Sequence, residues 1–69
     1  MMKISEENHR RYTAVELYRR CRVLCTYMEM KLDDGEMYSN GYMEAAEERL
    51  FIQGLLIDIS QGVWAPPGA

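Results

Sequence analysis

The side chains best suited to chemistry in this 69-residue chain are two cysteines, one histidine and a run of glutamates. Cys21 and Cys25 stand four apart, a spacing that on a helix puts both sulfurs on one face, as half of a structural zinc site requires. Such a site takes four ligands. The one histidine, His9, falls four residues before a strong helix-start signal, and no second ligand pair accompanies it. The same spacing suits an intrahelical disulfide poorly. The cysteines therefore read as small hydrophobes packed into a core, with redox sensing or metal binding as the other possibility. Glu44, Glu47 and Glu48 could serve as general acids or bases only if burial and a nearby partner shifted their pKa values. They fall in the first two turns of a predicted helix, where negative charge is favourable against the helix dipole. There is no nucleophile beside a base, no phosphate-cradling glycine loop and no metal-ligand cluster. The residues thus predict a protein that is not an enzyme, with no catalytic, cofactor or metal site.

A second kind of chemistry is contact. Arg10, Arg11, Arg19, Arg20 and Arg22 are interleaved with Tyr12 and Tyr18, a pattern that could track phosphates. The net charge of −3 and the absence of a helix-turn-helix pattern argue against a direct nucleic-acid ligand, and the three glutamates offer counter-charges within the chain or on a second copy. Arg19, Arg20, Arg22, Glu44, Glu47 and Glu48 are accordingly the candidate partner-binding residues, the partner being a protein. Met28, Met30, Met37 and Met43 cluster around a loop, where methionine serves adaptable recognition or ordinary core filling. Trp64 beside Val63 is either a binding anchor or, the favoured reading, a cap on the end of its own helices.

These groups must be positioned by helices. Thr13-Ala14-Val15-Glu16 has the capping-box pattern, with Tyr12 and Leu17 at the staple positions. Ser5 followed by Glu6 and Glu7 offers an earlier cap, so residues 5–12 either join the helix or form a short turn before it. Ala14, Leu17, Cys21, Leu24, Met28 and Leu32 then recur at steps of three and four, which predicts an amphipathic helix 1 over about 13–33. Val23, Tyr27 and Met30 form a second apolar face in its C-terminal half. Asp33-Asp34-Gly35 and Ser39-Asn40-Gly41 bound a loop at 34–41. Helix 2 is predicted over about 42–60, with Met43, Ala46, Leu50, Gly54 and Ile57 on one face and Ala45, Ile52, Leu56 and Ile59 on another. Phe51 and Leu55 extend the apolar surface. Gln61-Gly62 is a stop signal, and the Pro-rich residues 65–69 form an extended tail to a single domain at 1–64.

The fold class that follows is all-α, an antiparallel hairpin of two helices. A chain this short builds a core contributing only about 3–5 kcal/mol unless a disulfide, a metal or a second copy adds to it. The second apolar faces would stay wet in a monomer. The expectation is therefore a homodimer resembling a four-helix bundle, its interface built from Val23, Tyr27, Met30, Phe51, Ile52, Leu55, Leu56 and Ile59. Charge is divided as well: residues 1–22 carry six basic and three acidic side chains, and residues 23–69 carry two basic and eight acidic. No run of about 18 apolar residues and no secretory pattern is present, and the thiols are free to stay reduced, so the expected setting is the cytoplasm, without a membrane or a small-molecule ligand.

Three fragments give the chain a family resemblance: Leu17-Tyr18-Arg19-Arg20-Cys21, then Tyr42-Met43-Glu44-Ala45-Ala46-Glu47-Glu48-Arg49-Leu50, then Gly62-Val63-Trp64. In that order they resemble the Hha/YmoA family of small enterobacterial regulators. The resemblance covers about half of the chain and needs gaps. Glu48 stands where the family commonly has histidine, and a Pro-rich tail replaces the family's ending. It implies a compact helical fold without enzymatic activity that binds the nucleoid protein H-NS, with Glu47 at the acidic position of the motif and Arg49 at the basic one. In size and style the chain also resembles the accessory proteins of lambdoid phage early regions. Together these readings lead to a small regulatory or accessory protein, encoded by a phage or mobile element, that works by contact with a host protein and by self-association. An H-NS-binding co-regulator is the first alternative, and a nucleic-acid-binding protein using the Arg-rich first helix is the second.

Overall fold

The computed structural model describes residues 2–68, which form a helical hairpin of α1 (Ala14–Asp33) and α2 (Asn40–Ser60), preceded by a single 3₁₀ turn at His9–Arg11. No strand occurs among the described residues. α1 starts where its capping box requires. Thr13 Oγ1 accepts from the Glu16 N–H and Glu16 Oε1 accepts from the Thr13 N–H, both at 3.1 Å. These two bonds satisfy donors that a helix start otherwise leaves orphaned. Residues 5–12 stay outside α1: Asn8 Oδ1 accepts from the Ser5 N–H, and Tyr12 is extended.

Both helices end in the same way. Gly35 (φ 74°) and Gly62 (φ 75°) take the left-handed conformation. The Glu36 N–H then reaches back to the Lys31 carbonyl and the Val63 N–H to the Asp58 carbonyl. This six-to-one closure belongs to the Schellman motif, which favours glycine because a Cβ is costly at positive φ. The Ser-Asn-Gly spacing places the start of helix 2 at 42, whereas α2 begins two residues earlier because Ser39 is the cap, its Oγ accepting from the Tyr42 N–H at 3.2 Å. Asn40 and Gly41 therefore belong to the first turn. The Tyr27 hydroxyl lies against Gly41, and a Cβ there would have to displace the end of that side chain.

Arg20 bonds Glu48 and Tyr27 lies on Gly41, so positions rising along α1 meet positions falling along α2 and the hairpin is antiparallel. Its extents of 39 × 20 × 15 Å are those of two helices side by side, one layer thick. The core between them is Leu17, Leu24 and Met28 from α1 with Ala45, Ile52 and Leu55 from α2. Ile4 completes it from outside the hairpin and is fully buried. The tail turns back as well. It is non-helical at 65–66, as its prolines demand, but it does not extend away: Pro66 is buried and Gly68 lies against the Thr13 methyl, beside the start of α1. The antiparallel arrangement brings those two ends of the chain together. Residue 69 lies outside the described residues.

Candidate contact surfaces

The most constrained polar group is Glu48, on the inner face of α2 and only 4% exposed. Its two oxygens receive Arg20 Nε at 2.6 Å and Nη2 at 2.9 Å, a bidentate fork from the facing turn of α1. Oε2 also accepts the Ile4 N–H at 3.1 Å. Three segments distant in sequence thus meet at one carboxylate. Burial pushes the Glu48 carboxyl up, but the Arg20 bonds and the Ile4 N–H outweigh it and hold the group below the usual carboxylate range. The Glu48 bonds in turn raise Arg20. The bonds of this pair are made within the chain. Arg20 and Glu48, expected among the partner-binding residues, instead hold the N-terminal segment on the hairpin, which is the intramolecular counter-charge alternative realised for one pair. Of the remaining four, Arg19, Arg22, Glu44 and Glu47 are exposed. No salt bridge joins these four to another side chain among the described residues.

A second cluster lies where the 3₁₀ turn meets the end of α2. The His9 ring stands edge-on to Phe51 (5.7 Å between centroids) and to Trp64 (5.4 Å). His9 Nδ1 is 3.2 Å from the Ser5 carbonyl oxygen, which accepts from the Nδ1–H tautomer. Trp64 packs against the core of its own hairpin, with Nε1 buried and without a hydrogen-bond partner. His9 is thus placed as a packing spacer between two aromatic rings. It lies at the other end of the hairpin from Tyr42 and the Gly35 turn.

Cys21 and Cys25 are free and half-buried. Burial, followed by the neighbouring Cys25, pushes the Cys21 thiol up, which disfavours the thiolate that nucleophilic or metal-binding roles use. Among the described residues no three His, Cys, Asp or Glu side chains are gathered to hold a metal ion. Among the described residues no helix is long and apolar enough to cross a membrane.

The apolar surface is distributed differently from expectation. Ile52 and Leu55, expected at a dimer interface, are buried within one chain, and Phe51, Leu56 and Ile59 pack against that core. These five positions complete the hairpin because their side of α2 is the one that carries Glu48 to Arg20. Val23, Tyr27 and Met30 do remain exposed on α1. On α2 the exposed apolar residues are Met43 (49%), Leu50 (63%) and Ile57 (55%), the face that its spacing also allowed to point inward. Leu50 lies two residues from fully buried Ile52, about 160° away around the helix. The methionine cluster divides likewise, with Met28 in the core and Met30, Met37 and Met43 at the surface.

Comparison with protein-family models, curated proteins and solved structures finds no match to this chain.

Proposed function

We propose that this chain is a small non-enzymatic accessory or regulatory protein that acts by contact, associating with a second copy of itself and with a host or cellular protein. The observation that carries the reading is the pair of exposed apolar faces, Val23, Tyr27 and Met30 on α1 and Met43, Leu50 and Ile57 on α2, in a chain with a one-layer core. Monomeric proteins seldom leave contiguous apolar surface of this kind in water, and such surface commonly marks an interaction site. The exposed charges Arg19, Arg22, Glu44 and Glu47 supply orientation and choice of partner. Origin in a phage or mobile element, and work in a host cytoplasm, go with this reading through the resemblance in size and style.

The test is solution mass by light scattering across a dilution series from about 10 µM to about 1 mM, a span suited to interfaces smaller than the standard size. A mass that rises with concentration supports self-association. A monomer throughout, with a cooperative melt, removes it. Charge reversals Arg19→Glu with Arg22→Glu, and Glu44→Lys with Glu47→Lys, then identify which charged face a captured host protein uses.

A second reading is a co-regulator that binds H-NS, favoured by the exposure of Glu47, the acidic position in the family-like motif. Saturable binding to H-NS that Glu47→Gln weakens would support it. Direct nucleic-acid binding rests on exposed Arg10, Arg11, Arg19 and Arg22. It requires DNA affinity with a salt slope that falls by about one for each phosphate-contacting arginine removed.

A further inference from the structure

Cys21 and Cys25 are the chemistry-bearing pair that a contact function leaves unused. They stand one turn apart on the same face of α1, both half-buried and both free. Side chains four apart on a helix have Cβ atoms about 5–6 Å apart, whereas a disulfide needs about 3.5–4.5 Å, so the pair is too wide to close on itself. An ion between the sulfurs fits better. Two metal–sulfur bonds of about 2.3 Å laid end to end hold the sulfurs about 4.6 Å apart, which this spacing allows. The number of ligands then selects the ion. Among the described residues no third His, Cys, Asp or Glu joins the pair, and His9 is held between Phe51 and Trp64. Structural zinc takes four ligands. Copper(I), a soft d10 cation that thiolates select, accepts two collinear sulfurs.

A second observation lies on α2. Arg49 lines one cleft with Cys25, and its charge reaches the neighbouring thiol: burial and Cys25 push the Cys21 thiol up, and Arg49 pulls it the other way. Arg49 Nε is buried without a hydrogen-bond partner, and no salt bridge joins Arg49 to another side chain among the described residues, Glu29 of the same cleft included. A buried donor is costly without an acceptor, and a cation beside two thiols suits a negatively charged group between them. We infer that Cys21 and Cys25 form a two-coordinate copper(I) site whose charge Arg49 balances. On binding, each thiol gives its proton to solvent, two sulfur–copper bonds form and no electron is transferred. Two thiolates and one monovalent cation leave a single net negative charge, which the guanidinium offsets. The raised Cys21 thiol weakens the site without abolishing it, because a coordinating ion deprotonates a thiol outright. This site goes beyond the contact function proposed above and does not depend on it.

The experiment titrates the full chain, reduced and free of oxygen, with copper(I) supplied as its acetonitrile complex, in competition with the chelator bicinchoninate. One copper should bind per chain, with an ultraviolet thiolate-to-copper charge-transfer band and no change of mass by light scattering. Cys21→Ser and Cys25→Ser should each abolish the competition, with helical spectra unchanged by circular dichroism. Cys25→Ser/Thr26→Cys keeps two thiols but sets them about 140° apart around the helix, and should bind no better than either single variant. Arg49→Met should weaken binding about 10–100-fold, as loss of an outer-shell partner does, and Arg49→Lys should recover part of that. A native chain that leaves the copper with bicinchoninate overturns the inference, as does full binding by the Thr26→Cys variant or by Arg49→Met. Zinc bound at one ion per two chains, with a doubled mass, also overturns it, in favour of four thiolates shared between copies.

Discussion

Replacing Glu48 with glutamine removes one charge and keeps the shape, and the consequences follow from its three bonds. The introduced carboxamide can still accept the Ile4 N–H and Arg20 Nε through its oxygen, but its amide nitrogen then faces Arg20 Nη2, donor against donor. Breaking a buried ion pair by removing one partner typically costs about 3–5 kcal/mol. Arg20 keeps 19% of its side-chain surface exposed and regains part of its hydration, so the cost here should be smaller, about 2–3 kcal/mol. For a domain of this size that is about half or more of a total stability of about 3–5 kcal/mol. With a urea slope of about 1 kcal/mol/M, the unfolding midpoint should fall by about 2–3 M. The double variant Arg20→Met/Glu48→Met should recover only part of the loss, because the Ile4 N–H is left unpaired at about 1–3 kcal/mol. The acid limb supplies a second readout. Because the folded Glu48 carboxyl is held below its ordinary value, its contribution is complete above the ordinary carboxylate pKa of about 4.3 and is lost as pH falls through the folded value. Urea midpoints measured between pH 6 and pH 3 should therefore fall more steeply in the native chain than in Glu48→Gln. A midpoint shift under about 0.5 M, or parallel acid limbs, would refute the role given to this carboxylate.

Three further outcomes follow from the fold. Ile4→Ala empties a fully buried site and should cost about 2–4 kcal/mol by chemical denaturation, a large effect for the fourth residue of a chain; a value near zero would show that the segment is not docked in solution. Thr13→Ala removes the hydroxyl half of the capping box and should cost about 1 kcal/mol, visible as a lower melting temperature, with Thr13→Ser restoring most of it. Gly54→Ala, measured at concentrations where the chain is monomeric, should stabilise it by about 1 kcal/mol, since a Cβ there meets nothing; a loss of stability would reveal an intramolecular role for the glycine.

The positions of the helices were legible in the chain because their signals are local. Thr13 with Glu16, Gly35, and Gly62 each act through hydrogen bonds spanning three to five residues, and the structure realises all three. The all-α class and the antiparallel hairpin follow from those signals and the three-and-four spacing of apolar residues. Ser39 and Asn40 are both good capping side chains just before Tyr42, and local pattern alone does not choose between them; the structure uses Ser39.

Three features were decided only in three dimensions. α2 is apolar on two faces, one through Ile52 and one through Leu50, and burial of either would satisfy the hydrophobic effect, which has no direction. The choice falls to partners on other segments. Turning Ile52 inward also brings Glu48 to Arg20 and to the Ile4 N–H, whereas turning Leu50 inward would leave that carboxylate without them. Ile4 itself carries no periodic signal, being one apolar residue before a polar stretch, and its burial depends on a bond to a residue 44 positions away. The tail obeys the same rule. Its prolines settle that residues 65–66 are not helical, but the return of Pro66 and Gly68 to the start of α1 exists only because the antiparallel fold places that end of the chain there.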